Sequence, residues 1–104
     1  MKKFAIEIDM NARGVAHYGA QFIHRKIEVE NEKFAFADIH DTVFTKYDRE
    51  LVHCVNVYSV SGKKFIGRVY ADRTVNRPDV ISEDFKIHKY IIDRAEWIGE
   101  VVKA

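Results

Sequence analysis

The sequence predicts a single α+β domain, residues 1–104, built on an antiparallel sheet. Three observations predict it. The stretch 51–75 reads LVHCVNVYSVSGKKFIGRVYADRTV, two β-rich arms meeting at Ser61-Gly62. Such a pair suits a hairpin turn, because Gly accepts φ > 0 without a Cβ clash. Residues 3–10 alternate with period two, Phe4, Ile6, Ile8 and Met10 facing one way and Ala5, Glu7 and Asp9 the other, as a half-buried strand requires. Near the C-terminus, Lys86, Lys89, Asp93, Glu96, Glu100 and Lys103 fall on one helical stripe, opposite Ile87, Tyr90, Ile91, Ala95, Ile98, Val101 and Val102. That spacing predicts a long helix over 83–102, with Ser82 as its N-cap and Glu83 and Asp84 at its positive end.

Between these elements the pattern is weaker. Asn11 can cap a helix, and Val15, Phe22 and Ile23 share a face, so an N-terminal helix is expected over 12–26. Gly14 and Gly19 each weaken it by about 1 kcal/mol relative to Ala, and a strand over 22–29 is its main competitor. In that alternative the chain turns at 30–33 into a second strand over 34–39. Residues 38–50 show no clear period and read as a connection with one helical turn. Gly67 in mid-strand predicts a bend or a close approach by another element. Pro78 ends the sheet, since it cannot donate to a ladder.

Composition narrows the class. Hydrophobic residues make up 47% and charged residues 32%, enough for one core and a solvated surface. A single cysteine, Cys54, excludes an internal disulfide, which suits a reducing compartment and a cytoplasmic location. Glu7 and Asp9 interrupt the apolar residues after the first lysines, so neither a signal peptide nor a membrane span is expected. The formal charge of +1 conceals segregation: residues 1–26 carry a net +3, 27–54 a net −4, 55–78 a net +4 and 79–104 a net −2. Segregated charge bears on partners and association rates.

The second half of the chain also resembles the way small SH3-like and Sm-like barrels end. The hairpin is followed by a loop, then FKIHKYII, a short DRAEW turn and IGEVV. The resemblance implies an all-β barrel as the alternative fold, and it carries no functional motif.

Candidate chemistry is sparse, and the sequence favours a non-enzymatic binding protein. Lys63, Lys64, Arg68, Arg73 and Arg77 cluster with Tyr58 and Tyr70 nearby, an arrangement that can neutralise phosphates and stack bases. Glu28, Glu30 and Glu32 offer the opposite surface, one suited to a basic partner. Asp38 and His40, joined by His53 through the fold, form the best candidate for a small metal-dependent or acid/base hydrolase. His17 and His24 are seven residues apart, about 10 Å along a helix, too far to chelate one ion. His53 and Cys54 adjoin, and on a regular strand they point to opposite faces, so this His is not expected to activate this Cys. No nucleotide motif, cofactor or metal-ligand set is assigned. The leading expectation is a regulator or inhibitor that binds a larger macromolecule, a protein partner before a nucleic acid. Self-association through the C-terminal segment, with Arg94 and Trp97 on its face, is a further expectation.

Overall fold

The computed structural model describes residues 2–59, 64–77 and 96–100, with the backbone alone for Lys64 and for 96–100. The chain runs β1 (Lys2–Met10), α1 (Ala12–Tyr18), β2 (Phe22–Val29), α2 (Ala35–Lys46), β3 (Val52–Ser59), β4 (Lys64–Val69), β5 (Val75–Asn76) and β6 (Glu96–Glu100). In space the strands lie in the order β5-β4-β3-β1-β2-β6. The first five are antiparallel, and β6 adds to the β2 edge in parallel. The hydrophobic alternation of β1 is therefore the centre of the sheet, with β2 on one side and β3 on the other.

The main core lies between this sheet and α2. Phe4, Ile6 and Ile8 of β1, Ile27 and Val29 of β2, Val55 and Val57 of β3 and Val69 of β4 meet Ile39 and Val43 of α2, and all are essentially buried. Each such side chain contributes about 1.5–3 kcal/mol by leaving water. The other face of the sheet is covered at its centre too: Ala5, Cys54, Asn56 and Tyr58 are all buried. Tyr58 there packs edge-on against Phe65, ring centroids 5.5 Å apart.

The structure corrects the expected helices. The helix expected over 12–26 stops at Tyr18, where Gly19 takes a left-handed φ of 78° and its N–H closes on the Val15 carbonyl. Released from the helix, residues 22–29 form the competing strand, with Ile23 and Ile27 opposite Ile8 and Phe4 of β1. Residues 34–39 are helical rather than extended. The connection expected over 38–50 instead holds most of α2. A 3-10 turn over Glu32–Phe34, capped by the Asn31 side chain accepting from the Lys33 amide, leads into it. The long helix expected over 83–102 is overturned at 96–100, which is extended and pairs with β2 from Arg25↔Glu96 to Glu28↔Glu100. Trp97 and Ile98 favour strand, and Gly99 disfavours helix interiors, so local propensity opposes the charge stripe there. The remainder of that segment, and with it the expected self-associating face at Arg94, lies outside the described residues. The all-β barrel is contradicted by the helices α1 and α2 and, among the described residues, by a sheet that runs from β5 to β6 without closing.

The expected close approach at Gly67 is the ring of Phe36, which lies where a Cβ would project. Thr42, buried on α2, has a hydroxyl with no hydrogen-bond partner among the described residues. An orphaned buried hydroxyl costs about 1–3 kcal/mol, and valine keeps its shape. Thr42→Val is therefore expected to raise stability by about 1 kcal/mol, read as an increase of a few degrees in the thermal midpoint.

Candidate functional site

Four side chains on the second face of the sheet form one hydrogen-bonded row across four strands. Their backbones are in register: His24 of β2 opposite Glu7 of β1, Glu7 opposite Asn56 of β3, and Asn56 opposite Arg68 of β4. His24 Nε2 donates to Glu7 Oε2 at 2.9 Å, Asn56 Nδ2 donates to Glu7 Oε1 at 3.0 Å, and Arg68 Nε donates to Asn56 Oδ1 at 2.8 Å. Only one orientation of the Asn56 amide serves both neighbours, with nitrogen towards the carboxylate and oxygen towards the guanidinium. The row satisfies polar groups that would otherwise be costly to bury.

One step further along β1 the ladder is irregular. Asp9 pairs with Cys54 and Met10 with Val52, so His53 is the extra residue of a β-bulge. A bulge re-aims side chains, and here it overturns the expectation that His53 and Cys54 diverge. The ligating atoms of Asp9, His53 and Cys54 all lie within 4.8 Å of one another. Cys54 is buried and its thiol faces Asp9 Oδ2 at 3.9 Å, whereas His53 is exposed, its ring edge-on to Tyr70 with centroids 6.2 Å apart.

Burial dominates the electrostatics of this cluster. It pushes the Asp9 carboxyl above its ordinary value; Glu7 adds to the rise, while His53, Arg68 and the Cys54 hydrogen bond oppose it. Burial also pushes the Cys54 thiol up to about 12, against the pull of Arg68. A thiol in that state is a poor nucleophile, because the thiolate is the reactive form.

Among the described basic residues of the expected cluster, Arg68 does not share a face with Arg73 and Arg77. Arg68 belongs to the hydrogen-bonded row on the second face, and Tyr70 accepts from Asn76 Nδ2 at 3.5 Å. On the α2 side, Arg73 pairs with Asp41 at 2.9 Å from a backbone with φ 73°, and the Arg77 guanidinium stacks over Phe36 at 4.8 Å. Lys63 and the Lys64 side chain lie outside the described residues. Of the acidic candidates, Glu28 is half-buried on β2, while Glu30 and Glu32 are exposed at its end. Glu32 stands 3.9 Å from the Lys2 ammonium.

The proposed Asp38, His40 and His53 site is not assembled. His40 is fixed on α2, its Nδ1 3.0 Å from Asp41 Oδ1 and its Nε2 donating to the Ala71 carbonyl at 2.8 Å. His53 is committed to the other cluster, beside Asp9 and Cys54. A cavity of about 270 Å³ beside His40 and Arg73, walled by Phe36, Val69 and Val75, offers polar groups that already have partners within the protein.

Asp38 and Asp41 titrate in opposite directions. Burial, reinforced by the charges of Asp41 and Glu30, raises Asp38 above 3.8. The His40 hydrogen bond and then the Arg73 charge hold Asp41 below 3.8, against the opposing effect of burial. A raised carboxyl binds its proton more tightly in the folded state, so Asp38 favours folding below pH 3.8 and loses that contribution as pH rises through its folded value. Asp41 contributes stability above pH 3.8 that disappears as pH falls through its lower folded value. Asp38→Asn is therefore expected to be at least as stable as the parent at neutral pH and to lose its advantage in acid. Urea midpoints measured across pH check this; a variant less stable than the parent at pH 7 contradicts it.

Asp9 and Cys54 are the site residues that sequence reading misses. The adjoining His53-Cys54 pair is the available signal, and it becomes informative once the bulge that turns both towards Asp9 is known. No family model, curated protein or solved structure matches this chain.

Proposed function

We propose that this protein is a non-enzymatic binding protein that regulates or inhibits a larger basic protein through the corner joining β2 to α2. The observation that carries the reading is Phe34, which is 42% exposed and follows the exposed Glu30 and Glu32 closely along the chain. An aromatic ring at the surface has a large area to bury against a partner, and surrounding charge steers the encounter and sets register. The Glu32 carboxylate remains largely solvated despite its long contact with Lys2, so it is accessible to a stronger cation.

The distribution of basic side chains supports a protein partner over a nucleic acid. Arg73 and Arg77 lie on the α2 side of the sheet and Arg68 lies on the other, so these three do not make one phosphate-binding stripe. The test is purification of the tagged protein from its native host, with and without nuclease, beside a Glu30→Lys, Glu32→Lys, Phe34→Ala variant. The expected result is a basic protein that survives nuclease and is lost from the variant. Retention by the variant, or recovery of nucleic acid alone, would overturn the reading.

A further inference from the structure

We propose that Asp9, His53 and Cys54 form a binding site for a divalent transition metal of the zinc class. The inference stands apart from the partner surface and rests on the bulge. Without the extra residue in β3, His53 would face away from Cys54, and no three-ligand group would exist here. With it, one carboxylate, one imidazole and one thiol converge with their ligating atoms within 4.8 Å. This mixed donor set suits zinc, which accepts oxygen, nitrogen and sulfur in a tetrahedral shell, and does not suit the oxygen-seeking magnesium or calcium.

The surroundings are those of a supported site. Asp9 and Cys54 belong to the central strand pair, where they are cross-strand neighbours. The buried sulfur and half-buried carboxylate form the floor, and the exposed imidazole forms the open side, with its ring placed by Tyr70. A metal entering there meets the His53 ring first and leaves a fourth position for water. Binding replaces the thiol proton on Cys54, which is released to solvent, by a metal–sulfur bond.

The experiment is a cobalt titration of the metal-stripped protein, followed by thiolate-to-cobalt charge-transfer absorption, with zinc as competitor. One equivalent of cobalt is expected to produce the thiolate band and be displaced by zinc. His53→Ala, at an exposed position, is expected to weaken binding by at least about tenfold, because one of three protein ligands is lost. Cys54→Ala is expected to abolish the band, and His17→Ala on α1 to leave both unchanged. Since Cys54→Ala alters a buried position, circular dichroism is run on every variant and the His53→Ala affinity decides the case. Cobalt binding without a thiolate band, or with unchanged affinity in folded His53→Ala, would overturn the proposal.

Discussion

Glu7→Ala is expected to destabilise the domain by about 3 kcal/mol, a large share of the stability of a small protein. Glu7 lies mid-strand on β1, its side chain only 14% exposed, and accepts from His24 on one side and Asn56 on the other. Alanine removes the acceptor of both bonds and leaves the buried Asn56 amide donor facing a void. Each orphaned buried polar group costs about 1–3 kcal/mol, and the methyl group fills none of the lost volume. Glu7→Gln keeps the shape and one acceptor but presents an amide donor to one of two donors, so an intermediate loss of about 1–2 kcal/mol is expected. Urea denaturation of the three proteins checks the order. A Glu7→Ala variant as stable as the parent would show that the row adds nothing to folding.

Gly14→Ala has the second large expected effect, a loss of about 2–3 kcal/mol. Gly14 is buried in α1, and a Cβ there would collide with the Leu51 carbonyl oxygen and touch the Met10 side chain. That oxygen is not free to retreat, since it accepts from the Asn11 amide at 3.0 Å. Asn11 in turn caps α1 by accepting from the Gly14 amide and donates its own side chain to the Glu50 carbonyl. Moving α1 outward would strain all of these bonds, whereas alanine on a free helix would favour it by about 1 kcal/mol. The sign of the measured change distinguishes the two. A stabilised Gly14→Ala variant would mean that α1 does not rest on the chain before β3.

These sites show what the sequence made legible. The alternation of Phe4, Ile6 and Ile8 identifies β1, and the paired β-rich arms identify β3 and β4, because a buried sheet face imposes period two directly on residue type. Gly67 announces the close approach of Phe36 for a similarly local reason. The α2 helix is hidden because Asp38 and Thr42 are buried beside Ile39 and Val43, so its apolar stripe is interrupted, and Thr42, Val43 and Thr45 are poor helix formers. The C-terminal charge stripe is consistent with a helix, but residues 96–100 are drawn into pairing with β2, a long-range contact that no local pattern contains. The bulge at His53 belongs to the same class. It is a property of the pairing between β1 and β3, and it brings Asp9 to a histidine and a cysteine 44 and 45 positions further along the chain.

The central claim is that the second face of the sheet carries one connected polar network. A double-mutant cycle between Glu7→Gln and Arg68→Met, whose side chains communicate through the Asn56 amide, tests it most directly. If the amide is oriented by both neighbours, the second substitution costs less once the first is made, and a coupling energy of at least about 1 kcal/mol is expected. Losses that add to within about 0.5 kcal/mol would mean independent sites and contradict the network.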